Sequence, residues 1–87
     1  MADADLEQAA EEELERALDL RWAELAKVTP WGDTFEGFSP AGRPVMLERS
    51  YLWAEAEGGD ILCEVAVYRN TVLYDQAARR SRRIPRR

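Results

Sequence analysis

Val45-Met46-Leu47-Glu48-Arg49-Ser50-Tyr51-Leu52-Trp53 divides into two sets by alternate position. Val45, Leu47, Arg49, Tyr51 and Trp53 fall on one side of an extended chain, and Met46, Glu48, Ser50 and Leu52 fall on the other. That period of two predicts a strand over about residues 45–54 with one side toward a core. Toward the C-terminus, Glu57-Gly58-Gly59-Asp60 supplies a turn. The alternation then resumes over 61–69, with Ile61, Cys63, Val65 and Val67 set against Leu62, Glu64, Ala66 and Tyr68. Two such runs joined by a glycine-bearing turn make a hairpin. Toward the N-terminus, Ser39-Pro40-Ala41-Gly42 has Pro and Gly where a type I turn takes them, so a strand over 34–38 pairs on the other side. Beyond Asn70-Thr71, residues 72–75 form a candidate fourth strand leading into a helical or extended end.

Ahead of the strands the period lengthens. Leu6, Ala10, Leu14, Ala17, Leu18, Trp22, Leu25 and Val28 recur at steps of three and four, which predicts one amphipathic helix over about 5–28. Asp3 or Asp5 is placed to cap its start, with Gln8 in the capping-box position, and Thr29-Pro30 ends it. Arg21 falls inside the apolar stripe, which calls for a snorkelling side chain or a carboxylate partner. The sum is an α+β domain over residues 1–78. One long N-terminal helix packs on a three- or four-stranded antiparallel meander, and an Arg-rich C-terminal arm follows over 79–87. A chain of 87 residues buries about 60–65% of its unfolded surface, so the core is thin.

The formal net charge of −5 hides a division. Residues 1–68 carry sixteen acidic and five basic side chains, a net of −11. Residues 69–87 carry seven Arg against Asp75, a net of +6. The negative pole centres on Glu11, Glu12, Glu13, Glu15 and Asp19 of the helix. The positive pole is Arg79, Arg80, Arg82, Arg83, Arg86 and Arg87. Acidic residues early in a helix suit its dipole, so part of the negative pole is explained by helix stability alone. An Arg density of six in nine residues is that of an arm that docks on phosphate or on an acidic protein surface.

The residues that usually carry chemistry are scarce. The chain has no His, so histidine triads and dyads are excluded, and its single cysteine forms no internal disulfide. Cys63 stands among Ile61, Leu62 and Val65 and reads as an inert core thiol. No Gly-rich phosphate loop is present. Glu48 and Glu64 fall on neighbouring strands, a geometry that acid–base pairs use, but no nucleophile or metal ligand accompanies them. The expectation is a protein with no enzymatic activity, no cofactor, no metal and no small-molecule substrate.

Aromatic side chains serve both small cores and binding hot spots. Trp22, Tyr51 and Trp53 read as core, whereas Trp31, between Pro30 and Gly32, is the candidate exposed anchor. Should the second face of the sheet be open, Met46, Leu52 and Tyr68 would form an apolar strip suited to a protein partner. The longest apolar run is far short of the ~20 residues that span a bilayer. The acidic start Met1-Ala2-Asp3-Ala4-Asp5 lacks the basic and apolar regions of a secretory signal. Thirteen Ala, and eleven Arg against one Lys, match GC-rich coding of bacterial or bacteriophage type, so the expected setting is a bacterial cytoplasm or a virion.

Three functions fit these features. The first is an assembly or adaptor subunit whose basic arm docks on an acidic protein surface, including that of a second copy. The second is an anti-defence inhibitor, encoded by a mobile element, whose acidic helix occupies a basic groove. The third is a nucleic-acid accessory protein that contacts phosphate through its arginines.

Overall fold

The structure, a computed structural model, describes residues 4–69 and 77–86. Two helices, α1 (Ala4–Ala17) and α2 (Trp22–Ala26), precede four strands, β1 (Trp31–Phe38), β2 (Pro44–Trp53), β3 (Ile61–Tyr68) and β4 (Ala78–Ile84). The strands form one antiparallel sheet in the order β1-β2-β3-β4, an α+β fold with a meander. The candidate strand over 72–75 lies outside the described residues.

Turn chemistry sets the register. Gly42 N donates to Ser39 O at 2.8 Å, closing the expected Ser39–Gly42 turn, and Ser39 N donates to Arg43 O at 2.8 Å. Gly42 takes a φ of +81°, a left-handed value that costs a side-chain-bearing residue roughly 1 kcal/mol or more. At the next turn Gly59 N donates to Ala56 O, with Gly58 at a φ of +83°. These turns place Leu47 between Phe35 and Val67, and Tyr51 between Trp31 and Cys63.

The buried face is the one that carries Val45, Leu47, Tyr51 and Trp53. Its neighbours are Ile61, Cys63, Val65 and Val67 of β3 and Ala78 and Ile84 of β4. Against it α1 lays Leu6, Ala9, Ala10, Leu14 and Ala17. Three of those five are alanines, which lets the helix backbone come close to the sheet.

The predicted single helix is in fact two. Leu18 N still reaches Leu14 O, and Asp19 N reaches only Arg16 O, after which the chain turns until α2 begins at Trp22. A continuous helix over 5–28 would run about 36 Å. Eight-residue strands such as β1 and β3 extend only about 26 Å. The break folds the excess back over the end of the sheet, where Leu25 is fully buried and Trp22 Nε1 donates to Gly59 O at 2.8 Å. Leu20 and Val28 consequently stand exposed, and Arg21 is the exposed residue preceding α2 instead of part of a core stripe. Asp5, one of the two expected caps, lies inside α1, where its carboxylate accepts from Ser39 Oγ and from Ala41 N, tying the helix to the first hairpin, and Asp3, the other, lies outside the described residues. Gln8 donates to Glu12 one turn on.

The Arg-rich C-terminal segment is extended and most of it is β4, so the boundary expected at residue 78 falls at the head of a strand. Strand β1 begins three residues earlier than predicted, at Trp31.

Candidate functional site

The two charge poles meet inside the fold. Because β4 borders β3 beneath α1, Arg80 faces the helix and its guanidinium pairs with Glu7 and, at 3.3 Å, with Glu11. Arg83 Nε donates to Asp60 at 2.8 Å, and its Nη2 lies 3.2 Å from Glu55. Arg86 donates its backbone N–H to Asp60 at 3.0 Å, and its guanidinium stands 5.2 Å from the centre of the Trp22 ring. The Glu7 hydrogen bond raises the Arg80 pKa, and the Asp60 bond raises that of Arg83. The Arg86 N–H, followed by the Arg83 side chain, holds the Asp60 carboxyl below its usual range. Arg79 and Arg82 are exposed on β4, and Arg87 lies outside the described residues.

The predicted acidic face is dispersed in the same way. Glu13 is only 4% exposed and holds two arginines, Arg16 at 2.8 Å and Arg49 at 3.1 Å. Glu13 is therefore part of the interior, with its carboxylate shared between two arginines. Glu11 is taken up by Arg80 and Glu12 accepts from Gln8. Glu15 and Asp19 remain exposed on the helix and the turn that follows it.

Trp31, expected as an exposed anchor, is half-buried against the core. Its ring stacks on Tyr51 at 5.7 Å, and the Arg49 guanidinium lies 5.4, 5.8 and 6.0 Å from the Trp31, Phe35 and Tyr51 rings. The buried Arg49 Nε has no hydrogen-bond partner among the described residues. The surrounding ring faces supply cation–π attraction in place of that bond.

No described element covers the far face of the sheet. The register lines up Thr34, Glu48, Ala66 and Arg79 in one row and Gly32, Ser50, Glu64 and Ser81 in the next. The small residues leave a trough of about 480 Å³ between the charged ones. Glu48 and Glu64 share this trough as diagonal neighbours, since Glu48 stands opposite Ala66 and Ser50 opposite Glu64. At one end of the face Phe38 is 75% exposed beside Met46 and Pro44, and at the other Leu52 is 41% exposed. Tyr68, expected on an exposed strip, is buried. Among the described residues, no group of three or more His, Cys, Asp and Glu could hold a metal ion, and no helix is long and apolar enough to cross a membrane.

The outer strands differ in sign. β1 carries Asp33 and Glu36 and no base, whereas β4 carries Arg79, Arg80, Arg82 and Arg83 and no acid. Each edge has one backbone group bonded by a charged side chain of its own strand. Asp33 accepts from Thr34 N at 2.8 Å, and Arg80 donates to Arg79 O at 2.8 Å. No protein-family model matches this sequence, and neither the curated proteins nor the solved structures give a match.

Proposed function

We propose that this chain is a small non-enzymatic assembly or adaptor subunit that binds protein through the open face of its sheet, in a bacterial cytoplasm or a virion. The observation that carries this reading is the contrast between the two faces. One is filled by α1, and over the other no described element lies, with Phe38 and Leu52 exposed at its ends while Ala66 and Tyr68 on it are buried. Large apolar side chains at the ends of a trough lined by Ser, Thr, Glu and Arg resemble the mixture of anchor and polar contact found in non-obligate interfaces.

The alternatives draw less support. A helix that imitates nucleic-acid charge needs its acids free, but Glu13 is buried and Glu11 is bound to Arg80. An arm that grips phosphate needs its arginines, but Arg80 and Arg83 are already held by carboxylates.

Affinity capture from the source cell, comparing the natural chain with a Met46→Glu/Leu52→Glu variant of equal thermal stability, tests the reading. The expected result is a protein partner retained by the first and lost by the second. A partner retained equally by both removes the open face from the interaction.

A further inference from the structure

We infer that the sheet also binds a second copy of this chain edge to edge, with the basic β4 of one molecule against the acidic β1 of the next. The inference rests on the assembly reading above and specifies one of its contacts.

Strand alternation settles which backbone groups point outward. Ser39 N bonds Arg43 O in the β1–β2 register, so the odd-numbered residues of β1 bond inward and Gly32, Thr34, Glu36 and Phe38 face out. On the other side, Ala54 N bonds Asp60 O, which sets the even-numbered residues of β2 and β3 against each other. The odd-numbered residues of β3 therefore bond the even-numbered residues of β4, leaving Arg79, Ser81 and Arg83 facing out. The Asp33–Thr34 and Arg80–Arg79 bonds agree, because each falls on an outward group.

Exposed edges of this kind are templates for strand addition, and charge is the usual means of limiting it. Here the charges discriminate. Two β1 edges would bring Asp33 and Glu36 against their own copies, and two β4 edges would bring one arginine-rich, acid-free strand against another. Both like pairings are repelled, whereas β4 against β1 sets positive on negative. The strand lengths match, seven residues against eight. The direction matches too. In a four-stranded meander β4 runs opposite to β1, so a copy added by simple translation continues the antiparallel order. Such a contact is heterologous, and it builds a ring or an open filament according to the accumulated twist.

Sedimentation velocity over a concentration series tests the inference on the natural chain, on Asp33→Lys/Glu36→Lys and on Arg79→Glu/Arg82→Glu. The natural chain should exceed its monomer mass of 10.0 kDa as concentration rises. It should return to monomer in about 1 M salt, where charges are screened beyond roughly 3 Å. Each variant alone should be monomeric, and an equal mixture of the two should associate again, because the unaltered β4 of the first then meets the unaltered acidic β1 of the second. Thr34→Pro, which removes an outward N–H without touching the β1–β2 ladder, should also block association. Three outcomes overturn the inference: a natural chain that is monomeric at every concentration, association that survives both reversals, or a mixture that stays monomeric. A monomer that still captures a partner through Met46 and Leu52 overturns the edge contact alone. Edge association without capture overturns the open-face reading alone.

Discussion

Glu13 Oε1, in the C-terminal half of α1, accepts a hydrogen bond from Arg49 Nη1, midway along β2, at 3.1 Å. The carboxylate also takes Arg16 of its own helix through Nε at 3.1 Å and Nη2 at 2.8 Å. One buried acid thus answers the single arginine on the apolar face of β2, and three aromatic rings enclose that arginine. The pair fixes how far the helix can slide over the sheet, because only one turn of α1 presents Glu13 to Arg49.

Glu13→Gln tests this link. The amide keeps the shape but loses the charge, leaving Arg49 with a weaker partner and a partly buried cation. A charge-assisted bond is worth about 1.5–3 kcal/mol, and the 27% exposure of the Arg49 side chain places the expected loss toward the lower half of that range. Urea unfolding of Glu13→Gln against the natural chain measures it. A Glu13→Leu/Arg49→Met double variant should recover much of the loss, since an apolar pair replaces a buried ionic one. A Glu13→Gln chain as stable as the natural one would show that the pair is idle.

The break between α1 and α2 makes a second expectation specific. Leu25→Ala empties a fully buried site and should cost about 2–5 kcal/mol. Leu20→Ala, in the turn, should change stability by less than about 0.5 kcal/mol. A continuous helix would bring these values closer together. Thermal unfolding of the two variants decides between the arrangements.

The strands were legible in the sequence because the larger apolar side chains of Val45 to Trp53 and Ile61 to Val67 recur at every second position, Arg49 excepted, and the turns beside them hold Gly where φ is positive. The helix was legible only in part. Trp22 and Leu25 continue the stripe of Leu14 and Ala17 because all four face the core, and periodicity records burial without recording whether the axis bends. The poles were legible as charge but not as contacts. Glu7 and Arg80 are 73 residues apart, and nothing local announces their pairing. Arg49 on an apolar strand face and Glu13 between Ala10 and Leu14 were the available signals of a buried pair. Trp31 beside Pro30 and Gly32 resembles an exposed turn residue until the register sets it on Tyr51.

Acid should loosen the end of β4 before it unfolds the core. Asp60 holds both Arg83 and Arg86, and those bonds depress its pKa below the usual carboxylate value. With the folded value depressed, the unfolded chain takes the proton first. The contribution is complete above the unfolded value of about 4 and is lost as pH falls through the folded value. The amide resonance of Arg86 should therefore shift as pH falls below about 4 in the natural chain, and stay flat there in Asp60→Asn. The same movement in both chains would detach it from Asp60.

Cys63 should be silent to thiol reagents in the native state. It is fully buried between Tyr51 and Arg82 in the register, and burial, only partly offset by Arg49, pushes its thiol up to about 11. The thiolate is the reacting form, so near pH 8 both access and ionisation are missing. Labelling with an aromatic disulfide should be negligible until urea unfolds the chain and complete afterwards. Rapid stoichiometric labelling without urea would show that α1 lifts from the sheet on its own.

Removing residues 79–87 should unfold the protein and not merely trim an arm. The cut takes nearly all of β4, and with it the ladder along Ile61 to Ala66, the apolar cover of Ile84, and the Arg80 and Arg83 pairs. A chain of this size holds only about 5–10 kcal/mol in total, so the loss of an entire strand exceeds its margin. The truncated chain should lack a cooperative thermal transition and bind a hydrophobic dye. Arg82→Ala, an exposed substitution on the same strand, should change stability by less than about 0.5 kcal/mol. A truncated chain with a native near-ultraviolet circular dichroism spectrum would restore the detachable arm. If it unfolds as expected, any partner lost on truncation says nothing of the arginines themselves, and single substitutions on β4 become the experiment that separates docking from folding.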